Sequence, residues 1–192
     1  WEGLEIMTWN LKEFPISLNT IDNVEEIISD MLPDIISFQE LSISSFTSLA
    51  QILPEYNFIY TDYMTMDCCD DFSWNNQLNL GVAYRKDCVE MLDYTFLFEN
   101  NPYPFAYRAP LKSNFQWNCG DLTISFQLIN VHFKAGDDLL DFERRLEASE
   151  ILLSYIENEY NENNLVNIIV TGDFNDSLTD PQNNNSLWPL IE

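Results

Sequence analysis

Positive charge is what this chain has least of. Of its 192 residues only 8 are Lys or Arg, against 32 Asp or Glu, giving a formal net charge of −24. Non-specific binding of nucleic acid rests on Lys and Arg neutralising phosphates, so this balance excludes a broad basic face. Histidine occurs once, at His132, which rules out chemistry needing two imidazoles from this chain. Cysteine is sparse: Cys68, Cys69, Cys88 and Cys119 contain no Cys-x-x-Cys spacing, and an adjacent pair is poorly placed to share one tetrahedral zinc. Their even count permits disulfides in an oxidising compartment, with reduced, half-buried thiols as the alternative. No apolar run approaches the ~20 residues that span a bilayer, and there are no internal repeats.

What remains is one domain's worth of chain with an ordinary apolar content. Asn-rich stretches at Asn161 to Asn164 and Asn183 to Asn185 read as loops, as does Met64 to Asn79 with its Cys-Cys and Asp-Asp pairs. Two helices are legible. Thr20 to Met31 carries Val24, Ile27, Ile28 and Met31 at helical spacing and is ended by Pro33; Asp141 to Tyr160 carries a stripe of Phe142, Leu146, Leu153, Ile156 and Tyr160. In the second, Arg145 at the stripe's edge reads as a buried structural partner and Arg144 as a solvated charge. A shorter helix is expected from Ser44 to Leu53, stopped by Pro54. The chain opens on Trp1 without a signal-like segment, as a mature secreted protein or any trimmed chain would, and a secreted or extracytoplasmic location is the expectation.

The chemistry sits at four strand ends. Leu165 to Thr171 is an apolar run closed by Gly172-Asp173-Phe174-Asn175. In an extended chain residues i and i+2 share a face, so Asp173 and Asn175 would leave the strand side by side with Phe174 turned into the core. Such a pair suits a water, a phosphate oxygen or a hard cation, while an Asx-rich turn is the plainer alternative. Leu4 to Asn10 leads Leu4 and Ile6 through Thr8 to Asn10. Asp34 to Glu40 puts Glu40 at the tip of the row Ile36, Phe38, where a carboxylate must be hydrogen-bonded, paired or metal-bound. Leu122 to His132 alternates most cleanly, its inward row of Leu122, Ile124, Phe126 and Leu128 ending in Asn130 and His132.

These segments, TWNLKEF with Asn10, ISFQE with Glu40, INVHFKAGD with His132 and VTGDFND with Asp173 and Asn175, stand in the order and rough spacing of the endonuclease/exonuclease/phosphatase superfamily. NLGVAYRKD at Asn79 to Asp87, YRAPL with Arg108 and FERRLEA at Phe142 to Ala148 resemble weaker signatures of the same superfamily. The resemblance implies an α/β fold, the deoxyribonuclease I-like four-layered sandwich of two mixed β-sheets flanked by helices, over a single domain 1–192. It also implies a late strand with a Ser-Asp-His type motif, for which this sequence has no counterpart; the C-terminal strands are therefore expected to be missing and the domain incomplete, unless a downstream segment or second chain completes it.

The roles the resemblance carries are these. Glu40, helped by Asn10, holds Mg²⁺, with Mn²⁺ or Ca²⁺ also fitting oxygen ligands. Asp173 and Asn175 position the attacking water, and His132 and Arg108 donate to non-bridging phosphate oxygens, with Lys134 and Arg85 as further phosphate contacts. The implied activity is a metal-dependent phosphodiester hydrolase, foremost an endonuclease on DNA. A phosphomonoesterase or sphingomyelinase-like phospholipase, and a catalytically inactive phosphate-binding module, are the alternatives. With a net charge of −24, a nucleic-acid substrate needs the divalent ion, a saline setting, or local clustering of Lys12, Arg85, Lys86, Arg108, Lys112 and Lys134 around the cleft.

Overall fold

A computed structural model describes residues 3–17, 19–61, 79–163 and 167–191. In chain order they form β1 (Ile6–Phe14), α1 (Thr20–Met31), β2 (Ile35–Leu41), α2 (Ile43–Ile52), β3 (Tyr56–Tyr60), β4 (Asn79–Arg85), β5 (Val89–Phe96), β6 (Leu111–Cys119), β7 (Leu122–His132), α3 (Leu139–Asn163), β8 (Ile168–Asp173) and α4 (Trp188–Ile191). One sheet has the order β1-β2-β4-β3 and the other β5-β6-β7-β8. Each is mixed: β1 runs parallel to β2 and β7 parallel to β8, and the remaining pairs are antiparallel.

Alternation along each strand sorts the apolar residues into three layers of core. Ile36, Phe38 and Ala83 turn outward from the first sheet to meet Val24 and Ile28 of α1 and Phe46 and Leu49 of α2. Ile35, Val82, Phe115, Phe126 and Leu128 fill the space between the sheets, with Leu4, Ile6 and Ile169 at its margin. Ile129, Val131 and Phe133 face outward from the second sheet against Ala148 and Leu152 of α3 and Leu187. Helix, sheet, sheet and helix thus stack as four layers. α1 stops where Leu32 takes a left-handed conformation ahead of Pro33, and Ser42 caps α2 by accepting the Ser45 N–H at 3.3 Å.

Toward one rim the inter-sheet layer becomes polar. Asn130, fully buried on β7, donates to the Phe38 carbonyl at 2.9 Å and the Gly81 carbonyl at 3.0 Å, both in the other sheet, and accepts from Gln39 Nε2 at 2.8 Å. Gln39 also reaches Thr8 at 3.3 Å, and Thr171 Oγ1 donates to Ser37 Oγ at 2.8 Å. At the opposite rim the buried Asp34 joins the sheets: its Oδ2 accepts from the Glu5 N–H at 3.0 Å and from Trp117 Nε1 at 3.1 Å. Gly172 allows β7 and β8 to close up, since at its φ of +143° a Cβ would lie 2.0 Å from the Val131 carbonyl oxygen.

The structure corrects several expectations. Asn161 to Asn163 extend α3 rather than forming a loop; the sequence expectation for Asn164 lies outside the described residues, as do Leu165 and Val166. The buried face of α3 is Arg145, Ala148, Ser149 and Leu152, while Tyr160 is 60% exposed. Arg144 is buried, its guanidinium 4.2 Å from the Tyr103 ring centroid and bonded to the Tyr103 carbonyl, because the aromatic loop after β5 folds over it. Asn183 and Asn184 lie in a 3-10 turn, Gln182–Asn184, rather than a loop, and Asn185 after it is buried, its amide closing the Leu178–Leu187 loop. The expected loop from Met64 onward, with Cys68 and Cys69, lies outside the described residues until Asn79, which begins β4, and so does Trp1.

Replacing Asn130 by Leu should destabilise the chain by about 2–4 kcal/mol, because the Phe38 and Gly81 carbonyls and the Gln39 amide lose a buried partner together. Urea unfolding followed by tryptophan fluorescence measures this; a loss under about 0.5 kcal/mol would remove Asn130 as the tie between sheets.

Candidate active site

Four strands deliver one polar group each to the same rim. In the parallel pair β7–β8, His132 lies opposite Asp173; in β1–β2, Asn10 lies opposite Gln39. Three of the four arrive by simple alternation. Glu40 does not, because Ile36 and Phe38, with which it was expected to share a face, point to the helices. The ladder slips between Phe38 and Leu41, and Glu40 adopts φ +59°. That left-handed turn swings its carboxylate round to the inter-sheet side. A matching slip in β1 places Lys12 and Glu13 at φ +45° and +57°, which aims the Glu13 N–H at Glu40 Oε2, 3.1 Å away.

Each carboxylate therefore has one oxygen held by main chain and one turned inward. Glu40 Oε2 is held by Glu13, and Asp173 Oδ1 by the Asn175 N–H at 3.0 Å. Between the inward oxygens lies the Asn10 amide, donating to Glu40 Oε1 at 3.1 Å and to Asp173 Oδ2 at 2.8 Å. His132 Nε2 faces the same two atoms at 3.7 and 4.0 Å. The imidazole is 3% exposed; burial, aided by the nearby Arg108 charge, pushes its pKa down to about 2, which makes it neutral at working pH. With Nε2 facing carboxylates and Nδ1 buried without a partner, the tautomer that suits the site carries its proton on Nε2.

The remaining predicted residues divide. Asn175 sits at φ +50°, its Nδ2 donating to the Phe133 carbonyl at 3.0 Å, so the stretch is an Asx turn and a site rim at once, and Asn175 does not extend the strand beside Asp173. Phe174 does turn into the core, packing edge-on to Phe133. Arg108 stands behind His132, with Nε on the His132 carbonyl at 3.1 Å and Nη2 on that of Phe133 at 2.7 Å. Lys134 is at the rim but ion-paired to Asp141 at 2.9 Å. Arg85 is misplaced as a phosphate contact: it pairs with Asp34 at 3.5 Å and with Asp87. Asp34 and Glu40 lie at opposite ends of β2, roughly 20 Å apart at six residues' extended length. Lys86, bonded to the Pro54 carbonyl, shares that far end, and Lys112 lines an outer-face cavity with Asp93 and Glu159. The expected clustering of cations at the cleft therefore reduces to Lys12, Arg108 and Lys134.

Sequence reasoning missed what holds the site in place. The Glu13 and Asn175 N–H groups are main-chain donors that no side-chain pattern reveals. Asp176, which follows the GDFN stretch, accepts from Ser186 and faces Arg145 Nε at 3.5 Å. Burial raises the Asp176 pKa, but hydrogen bonds from Ser186 and the Ser177 and Ser186 N–H groups, with Arg145, bring it below the ordinary carboxylate value.

Among the described residues no three His, Cys, Asp or Glu side chains make a ready cation cage. Mg²⁺ seldom uses one, since it keeps several waters and takes one or two carboxylates with substrate oxygens. The hard oxygens of Glu40 and Asp173, turned toward each other across neutral groups, fit such an ion. Asn10 fits differently from expectation: its oxygen accepts the Lys12 N–H at 2.8 Å, and it offers the site its N–H₂. It bridges the carboxylates here instead of presenting an oxygen.

No protein-family model matches the chain, and no curated protein does. Solved structures do. D. rerio TDP2 complexed with a single-strand DNA product superposes at TM-score 0.69 and 17% identity over 92% of this chain and 62% of its own. A Bacteroides thetaiotaomicron mannosyl-6-phosphatase gives 0.69 and 18% over 96% and 70%. An endonuclease/exonuclease/phosphatase family protein from the same organism gives 0.68 and 16% over 98% and 68%. The chain thus spans less than two thirds of the TDP2 chain. With two facing mixed sheets, helices on both outer faces and the motif residues gathered at one rim, the chain has the deoxyribonuclease I-like fold of the endonuclease/exonuclease/phosphatase superfamily.

Proposed function

We propose that the chain is a divalent-cation-dependent phosphoric ester hydrolase, foremost a phosphodiesterase acting as an endonuclease on DNA, secreted or otherwise extracytoplasmic. The observation that carries this reading is the convergence of Glu40 Oε1, Asp173 Oδ2, the Asn10 amide and His132 Nε2 from four strands on one point. Glu40 and Asp173 bring two negative charges beside a neutral imidazole, an arrangement that a divalent cation balances. Held at that point, Mg²⁺, for which Mn²⁺ or Ca²⁺ could stand in, would polarise the phosphate and neutralise charge on the leaving oxygen. Glu40 holds the cation, and its second oxygen stays fixed by the Glu13 N–H. His132 would donate a hydrogen bond from its neutral Nε2–H to a non-bridging oxygen, keeping its proton. Asp173 orients the attacking water; its tether to the Asn175 N–H fixes the direction in which it accepts. Arg108 keeps the end of β7 in place and lends its charge to the phosphate from behind, and Lys134 contributes once it leaves Asp141.

A second reading, in which the substrate is a phosphomonoester or a phospholipid headgroup, is favoured by the electrostatics next door. A cavity of about 560 Å³ beside Asn175 is lined by Asp137, Asp138, Asp176 and Asp180 around Arg145, which suits a compact polar group better than a polyanion. The TDP2 neighbour bound to single-strand DNA supports the first reading and the mannosyl-6-phosphatase the second. Turnover of a phosphodiester against a sugar monophosphate separates them, and turnover of neither leaves a phosphate-binding module.

Glu40→Gln should lower Mg²⁺ or Mn²⁺ affinity by about 100-fold with the fold intact. Titration calorimetry on both proteins measures it, and equal affinities would remove Glu40 from the metal site.

Duplex DNA binding should need millimolar-scale Mg²⁺ and vanish in chelator, because so few cations face the cleft. Tight binding in chelator with a steep salt dependence would contradict the reading.

A further inference from the structure

The rim opposite the candidate site holds two thiols and an anion that no part of the proposed reaction uses. Asp34 Oδ1 accepts from the Cys88 thiol at 3.1 Å while its Oδ2 accepts from Trp117 Nε1 at 3.1 Å, so Cys88 and Trp117 arrive at one buried carboxylate. Cys119 lies two residues beyond Trp117 on β6 and shares its inward face. Both cysteines pack on the inter-sheet cluster and line one cavity of about 340 Å³ with Asp34, Arg85 and Trp117. The main chains are ladder neighbours, for the Asn118 N–H donates to the Cys88 carbonyl at 2.8 Å. Opposed residues of an antiparallel ladder stand about 4.5–5.5 Å apart at Cα, and a disulfide spans about 4.4–6.8 Å, which leaves room for the one-residue offset from Asn118 to Cys119. Cys88, in the turn before β5, is free of strand alternation and turns its sulfur to the inside.

We infer that Cys88 and Cys119 are a disulfide-forming pair, closing the β5–β6 excursion at the rim remote from the candidate active site. With oxidised glutathione as oxidant, the Cys119 thiolate attacks one glutathione sulfur and expels a glutathione thiolate. Cys88 then attacks the Cys119 sulfur of the mixed disulfide, its proton leaving by way of Asp34, and the second glutathione departs as a thiolate that solvent protonates. Two protein thiols are oxidised and one glutathione disulfide is reduced to two thiols. Burial, reinforced by the hydrogen bond to Asp34, pushes the Cys88 thiol up to about 12, so closure in the folded protein is slow at neutral pH and quickens as pH rises. The bond removes the Cys88–Asp34 hydrogen bond and ties β5 to β6 covalently. It is a brace, and it leaves Glu40 and Asp173 where they are.

The test uses the whole chain with Cys68→Ser and Cys69→Ser, incubated with oxidised glutathione at pH 8.5. A mass loss of 2 Da, one linked peptide carrying Cys88 and Cys119, and a reductant-reversible Tm rise of about 5–10 °C are expected. The same mapping on the unsubstituted chain should give the same linked peptide, and Cys119→Ala should abolish it. Two thiols that stay titratable in the folded protein would overturn the inference. So would linkage of Cys88 or Cys119 to Cys68 or Cys69 in the unsubstituted chain, or a link that leaves Tm unchanged or lowers it.

Discussion

Everything at the candidate site depends on two sheets being held in fixed register across a layer that is polar where a sandwich is ordinarily greasy. Asn130 carries most of that constraint. Its amide reaches from β7 to the main chain of β2 and β4, and its oxygen takes Gln39. Hydrophobic contact would hold the sheets together without fixing how far one slides past the other, because apolar packing is non-directional. Three hydrogen bonds at 2.8 to 3.0 Å from one buried side chain do fix it. Glu40 and His132 sit one or two residues further along β2 and β7, and Asn10 and Asp173 lie on β1 and β8, which pair in register with them, so their mutual distances inherit that constraint. Asp34 makes a second cross-sheet tie through Trp117 at the other rim, and between these ties the inter-sheet core is mostly apolar, with Ser37 and Ser113 as its buried hydroxyls.

Strand alternation alone would have left the site one carboxylate short. Glu40 belongs by parity to the helix-facing side of its sheet, and a left-handed residue at φ +59° brings it across. Lys12, Glu13 and Asn175 adopt the same region nearby. For non-glycine residues such conformations cost about 1–2 kcal/mol each. The structure offsets that cost with hydrogen bonds that exist only in the bent form: Lys12 N–H to Asn10, Glu13 N–H to Glu40, and Asn175 N–H to Asp173. Concentrating backbone strain where carboxylates meet, with directional bonds to hold it, favours a fixed geometry over an adaptable one.

What the sequence made legible follows from the same physics. α1 and β7 are found at the residues expected, because helical spacing in the first and period-two alternation in the second are strong and continuous. The inward row is buried from Phe126 and Leu128 to Asn130 and His132, where alternation puts it, while Leu122 at its start is exposed. β5 escaped notice because it is an edge strand with a mostly exposed pattern, so it has no buried face to announce. β6 alternates Leu111, Ser113, Phe115, Trp117 and Cys119 inward as cleanly as β7 does, but a serine in the buried row and Pro110 at its start mask it. The face of Glu40 was beyond reach, since a bulge reverses parity without leaving a mark in composition. Arg144 was misassigned for a related reason: a helical wheel shows which side a residue is on, not that the Tyr103 loop will close over it.

Positive charge near the candidate site is scarce. Of the six cations expected to cluster at the cleft only Lys12, Arg108 and Lys134 lie at that rim, and Lys134 is already paired with Asp141. Arg108 is held by the carbonyls of His132 and Phe133, directly behind the imidazole. From there, part-buried, its charge is felt at the imidazole, and a charge partly shielded from water counts for more than one on the open surface. Burial first, and that charge second, disfavour a proton on the imidazole and keep His132 neutral beside two carboxylates. A neutral ring there leaves the negative charge of Glu40 and Asp173 uncancelled. An acidic chain with a site of this kind attracts a small divalent cation at short range while its surface repels polyanions at long range. Under the proposed function the cation would therefore precede the phosphate, the order of binding being set by charge before any loop selects a substrate.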